Sequence, residues 1–149
     1  MADKSRVSVS RPSVSRPFGP SLERLRAAGL RPTRQRLALA KLLFDGMDRH
    51  VSAEALHEEA QGAGIPVSLA TVYNTLHQFT AAGLMREIVV DSQRSYFDTN
   101  VSDHHHFFHE STSRLQDIPA EEVRVARLPA PPAGARVKRI DVIVRLEEK

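Results

Sequence analysis

The 149-residue sequence contains no cysteine. That one absence removes disulfides, thiolate zinc sites, iron-sulfur clusters and cysteine nucleophiles together, because each requires sulfur. Any metal held here must sit on histidine, aspartate or glutamate. No apolar run approaches the roughly 18 residues that a membrane helix needs, and no compact apolar segment with a small-residue cleavage site marks a secretory signal. A cytoplasmic protein with no membrane partner is expected. Acidic residues are scarce at the start: before residue 37 only Asp3 and Glu23 stand against Lys4, Arg6, Arg11, Arg16, Arg24, Arg26, Arg31, Arg34 and Arg36. The net charge of +3 therefore understates a basic front end, which suits a polyanion such as DNA or, more plainly, a solvated basic face.

With 41% hydrophobic residues the chain has enough apolar matter for one ordinary domain or two small ones, and two small ones fit its patterning best. Residues 1–20 carry a near-repeat, VSVSRPSVSRP, and the prolines of the stretch, at 12, 17 and 20, oppose regular helix. A disordered basic arm that adds sequence-independent phosphate contacts is expected there. Its Arg- and Ser-rich, acid-poor composition is also that of an organelle transit peptide, against which the prolines count.

From Ser21 to Phe44 apolar residues return at helical spacing, Leu22 and Leu25, then Leu37, Ala40 and Phe44. Gly29 ends one helix and Pro32-Thr33 opens the next. Ser52 caps a third helix, with Ala53, Leu56 and Ala60 inward, closing at Gly62 and Gly64, and His50 falls in the loop before it. Ser68 caps a fourth through about Ala81, with Leu69, Val72, Leu76 and Phe79 inward and Thr71, Tyr73, Asn74, Thr75 and Gln78 outward. That outer face is polar and nearly uncharged, as fits either a solvent-facing surface or a major groove, where Asn, Gln and Thr pair with base edges and Tyr reaches a phosphate or a thymine methyl. Leu84–Val90 and Arg94–Phe97 read as strands about the turn Asp91-Ser92-Gln93. Helices followed by a hairpin make a winged helix, whose second helix reads the groove while the wing and basic flanks hold the backbone.

Further along, Asp98 precedes three adjacent histidines in YFDTNVSDHHHFFHE. On a strand, side chains two apart share a face, so His104 and His106 point one way and His105 the other. After Pro119, Val123, Val125 and Leu128 lead into PAPPAGAR, which cannot sustain a helix. An extended piece, a proline turn and a strand from about Val137 to Leu146 are expected, with Ile140, Val142 and Val144 on one face and Ile143 on the other.

Taken together, GLRPTRQRLALAKLL at 29–43, HVSAEALH at 50–57, VSLATVYNTLHQFTAAGLM at 67–85, YFD and HHH resemble the ferric uptake regulator (Fur) superfamily of bacterial repressors. Among its branches the chain most resembles the iron response regulator (Irr) group, because cysteine is absent, HHHFF replaces the usual His-x-His leading to Cys-x-x-Cys, and the end reads RIDVIVRL. The resemblance implies an α+β protein: an N-terminal winged helix-turn-helix domain over 21–98, then a small α/β dimerisation and sensing domain over 99–149. It further implies a homodimer on A/T-rich palindromic operators of double-stranded DNA, and a regulator of iron homeostasis rather than an enzyme. Position by position, Arg31 is expected in the minor groove, Arg36 on the DNA backbone, and Ser68, Thr71 and Tyr73 on the operator. Asn74 stands where the family often has Arg, which touches base preference. His50, Asp98, His104, His106 and Asp117 match the family's regulatory site, and a sulfur-free set of that kind suits Mn(II), Fe(II) or Zn(II). The Irr-like histidine run brings haem as a competing effector, with His104, His105, His106 or His109 as axial ligand and Phe107-Phe108 as cover. With no thiolate zinc, dimer stability must come from strand pairing and apolar burial. A metal-dependent hydrolase and a metal or haem carrier without DNA binding are the alternatives. No HExxH helix supports the first, and the second leaves the winged-helix stretch unexplained.

Overall fold

The structure, a computed structural model, describes residues 18–149; the expected basic arm lies outside them up to residue 17. It divides into two compact units, one running to Ile88 and resuming at Tyr96–Val101, the other comprising Val89–Ser95 and Ser102–Lys149.

The first unit is mainly helical. Helix α1 (Gly19–Ala27) carries Pro20 in its first turn, where a missing N–H interrupts no helical bond, so this proline starts a helix that it was expected to block. Gly29, at φ 75°, ends it in the left-handed region, and the Leu30 amide turns back to the Leu25 carbonyl at 2.9 Å. Thr33 caps α2 (Arg34–Phe44), Ser52 caps α3 (Ala53–Gly62) and Ser68 caps α4 (Leu69–Ala81), each side chain accepting from the amide three residues on. These three polar residues therefore set where the helices begin.

Inward from those caps, Leu25, Leu39, Leu43, Leu56, Val72, Leu76 and Phe79 are almost wholly buried in one cluster. At about 1.5–3 kcal/mol for each large side chain, such burial outweighs the helices' modest intrinsic preferences. Thr75 departs from expectation: it is buried with Val72 and Phe79, because spacings of three and four residues place it on their stripe whatever its hydroxyl prefers.

A small sheet of β1 (His50–Val51), β2 (Arg86–Val89) and β3 (Ser95–Asp98), in the order β1-β3-β2, completes the wing region. His50 is therefore in a strand, not the expected loop, antiparallel to β3 and directly opposite Asp98, with Val51 opposite Phe97. The flanking residues fix that register: the Arg49 amide donates to Thr99 Oγ1 at 2.8 Å and the Thr99 amide to the Arg49 carbonyl at 3.1 Å. At the hairpin tip Asp91 Oδ1 accepts from the Gln93 and Arg94 amides, both at 2.9 Å. The Arg94 guanidinium and then the Gln93 amide hold the Asp91 carboxyl below its ordinary range.

The second unit is a three-stranded sheet, β5-β4-β6, of β4 (His104–His109), β5 (Arg114–Pro119) and β6 (Ile143–Leu146). Strands β4 and β5 form an antiparallel hairpin with His106 opposite Asp117, whereas β6 returns parallel to β4 and sets Ile143 beside His106. A single 3-10 turn, Ala120–Glu122, opens the crossover. The final strand is shorter than expected. It spans four residues, not ten, because only the stretch beside β4 finds a ladder partner; the Val142 carbonyl accepting from the His106 amide marks its edge. Within it Ile143 and Leu146 are half-buried while Val144, on the face opposite Ile143, is exposed.

Candidate metal centre and DNA-reading helix

Alternation along β4 sorts the histidine run by face. His104 and His106 are buried with Phe108, while His105, Phe107 and His109 lie on the other side. The cross-strand register brings Asp117 to the buried pair, and its Oδ1 lies 3.3 Å from Nε2 of both His104 and His106. One ligand atom from each of the three falls within 4.8 Å of the others, and the imidazole centroids are 4.6 Å apart.

The protonation pattern of His104 follows from its neighbour. Its Nδ1 sits 2.6 Å from the Ser102 carbonyl oxygen, which can only accept, so Nδ1 carries the hydrogen. In the neutral ring Nε2 then holds a lone pair toward Asp117. Electron-rich nitrogen and carboxylate oxygen face one another there, an arrangement that a proton or a cation among them stabilises. A carbonyl orienting the far nitrogen of a ligating histidine is the usual outer support of a metal site.

Within the first unit, His50 Nε2 lies 3.1 Å from Asp98 Oδ2, with Asp98 buried to 1% exposure. A carboxylate that deep requires a charged or hydrogen-bonding partner, and the β1–β3 register supplies His50. Asp98 Oδ1 also accepts from the Asn100 amide at 2.9 Å. Of the five expected ligands, His50 and Asp98 meet within the first unit, and His104, His106 and Asp117 meet within the second.

The expected haem ligands have other duties. His105 Nδ1 accepts the Val142 amide at 3.1 Å, so in the neutral ring its Nε2 carries the hydrogen and has no lone pair for an iron. His109 Nε2 is 2.9 Å from Gln116 Oε1. Phe107 and Phe108 point to opposite faces, Phe108 into the core, and so cannot cover one macrocycle together.

On α4 the expected DNA-facing residues lie as follows. Ser68 Oγ donates to Thr71 Oγ1 at 2.9 Å while accepting the Thr71 amide. Asn74 and Gln78 are exposed, and Gln78 Oε1 takes Arg36 Nη2 at 2.9 Å. Arg36 Nη1 donates to the Arg31 carbonyl at 2.8 Å, so this arginine braces α2 to α4 and to the segment carrying exposed Arg31. Three partnerships had no place in the expected set: His57 Nε2 with the Val67 carbonyl at 3.1 Å, Tyr73 with Glu54, and His77 against Tyr73. Only the last had a signal in the sequence, the four-residue spacing that puts Tyr73 and His77 on one helix face.

A helical unit with a polar, capped fourth helix and a sheet unit with clustered histidine and aspartate form an arrangement that the comparisons with known proteins assign to a family of transcriptional regulators. Residues 27–144 match the model of the ferric uptake regulator family, and the chain belongs to that family. It is 35% identical to the peroxide operon regulator of Bacillus subtilis over 98 residues, 66% of this chain and 67% of that protein. It is 30% identical to the peroxide-responsive repressor PerR of Staphylococcus aureus over 112 residues, 75% of each. The ferric uptake regulator of Pseudomonas aeruginosa solved with manganese superposes with a TM-score of 0.65 at 28% identity, covering 86% of this chain and 97% of that one. A zinc-bound manganese uptake regulator superposes with a TM-score of 0.63 at 26% identity, covering 86% and 98%. Members of this family are transcriptional regulators, not enzymes, which sets aside the hydrolase alternative. Among the described residues no helix is long and apolar enough to cross a membrane.

Proposed function

We propose that the chain is a metal-responsive repressor of iron homeostasis of the iron response regulator type, acting in the cytoplasm as a homodimer on A/T-rich palindromic operators. The observation that carries the metal part is the convergence of His104, His106 and Asp117, with the Ser102 carbonyl orienting the first. In this reading His50 and Asp98 complete the ligand set, and the ion is Mn(II) or Fe(II), with Zn(II) as a third candidate. Bound there, the ion would be held by imidazole nitrogens and carboxylate oxygens alone.

The chain's own residues do the remaining work. His50 is carried by the strand next to α3, and Asp98 ends the strand that leads to the histidine run, four residues before Ser102. Holding these side chains on one ion would restrict the conformations open to the chain between them. If one conformation alone spaces two copies of α4 for a palindrome, ligand-set occupancy shifts the population that can bind. Ser68, Thr71, Tyr73 and Asn74 then meet base edges, Arg31 enters the minor groove, and Arg36 takes a phosphate. The absence of cysteine and the HHHFF run support the iron-response branch. Haem is the weaker effector, since His105 is committed to the Val142 amide.

A gel shift on an A/T-rich palindromic duplex tests this with metal-free protein, with Mn(II) and with haem. Binding is expected to change between the first two and not with haem. Identical binding with and without Mn(II) overturns the metal reading, and a haem-dependent shift would restore haem as the effector.

A further inference from the structure

The side chain expected to read bases from α4 is gripped from outside that helix. The Tyr73 hydroxyl donates to Glu54 Oε1 at 2.5 Å, from the first turn of α3. The Tyr73 ring lies face-on to His77, with centroids 6.4 Å and planes 19° apart. His77 in turn meets Phe97 of β3 edge-on at 5.4 Å, with its Nδ1 3.6 Å from Glu87 of β2. Glu54 of the neighbouring helix and His77 of the same helix thus hold the phenol directly, and the wing sheet braces it through His77.

Spending the phenolic hydrogen on a carboxylate has two effects. The hydroxyl can no longer donate to a phosphate, because its only hydrogen is committed. A phosphate approaching it also meets the Glu54 charge, and like charges a few ångströms apart repel even at high dielectric. What remains for DNA is the ring edge and the oxygen's lone pairs, the features that meet a thymine methyl or a base-edge donor. Glu54 therefore lowers non-specific attraction on a face whose own residues are nearly uncharged, while holding an aromatic side chain in one orientation. The hydrogen bond to Glu54 is also the main reason that the phenol's ionisation lies above its ordinary value, so Tyr73 stays neutral at any physiological pH.

We propose that Glu54 is a positioning residue for sequence readout, fixing Tyr73 toward base edges and away from phosphates, with His77 as its second support. This rests on the reading of α4 as the DNA helix.

The test uses the full chain with Mn(II), a duplex that the wild-type protein selects from a randomised pool, and an unrelated duplex of equal length. Glu54→Ala is expected to cut the ratio of selected to unrelated affinity about tenfold, the size of one good base contact, while binding to the unrelated duplex rises. Glu54→Gln keeps an acceptor oxygen at the same place and is expected to hold the ratio within about twofold of wild type, although it too loses the charge. His77→Ala, at an exposed position, is expected to lower the ratio by a smaller factor. A wild-type ratio in Glu54→Ala, or an equal loss in Glu54→Gln, overturns the positioning role. A wild-type protein that selects no duplex overturns the functional reading itself, and this inference with it, before any variant is compared.

Discussion

The two units close their cores differently. In the first, four helices and the small sheet bury a single contiguous cluster from Leu25 to Phe97, in which Leu39, Leu56, Leu76 and Phe79 reach 0% exposure. The second has a three-stranded sheet of short strands that buries Phe108, Leu115 and Ile118, while Val125, Leu128, Val137 and Val144 are at least 37% exposed. A helical unit of that kind carries its own stability. Short three-stranded sheets need further apolar cover, and whatever binds the folded form adds to its stability. The first unit thus closes its core with its own residues, whereas the second leaves apolar side chains exposed, which in the proposed function an ion and a second copy of the chain help to stabilise.

The largest expected effect breaks the first half of this comparison. Phe79→Ala removes a wholly buried ring against which Phe44 packs at 6.1 Å, and should cost about 3–5 kcal/mol, read as a lower denaturant midpoint of the helical signal. A cost under about 1 kcal/mol would mean that the helical core is not what holds this unit. A smaller effect sharpens the second half. Mn(II) at about a hundred times its dissociation constant should stabilise the sheet unit by about 2.7 kcal/mol, and Asp117→Ala should abolish most of the resulting thermal shift. A full shift in that variant would place the ion elsewhere.

Much of the first unit was legible in the sequence because its signals are local. Thr33, Ser52 and Ser68 announce helix starts within three residues of themselves, Gly29 an end, and Asp91 a turn, each by hydrogen bonds or backbone angles that need no distant partner. The separation of His104 and His106 from His105 was equally legible, since strand alternation is local geometry. What escaped was non-local. His50 sits in a strand of two residues, too short for any periodicity, and owes its placement to β3 almost fifty residues on. The last strand shortened to Ile143–Leu146 because pairing with β4, not apolar content, decides its length. The Glu54 contact was hidden for the same reason, since nothing near either residue names the other. Thr75 differs for another reason: its place in the helical period, three residues from Val72 and four from Phe79, outweighs its polarity.

The most direct measurement is the affinity of the wild-type-selected duplex for the full chain across an Mn(II) titration, compared between wild type and His104→Ala. Wild-type affinity should change with occupancy, and His104→Ala should remove that dependence while leaving the helical signal and the weak binding to unrelated DNA in place. A His104→Ala protein that follows the wild-type Mn(II) curve would contradict the placement of metal sensing at the His104, His106 and Asp117 cluster.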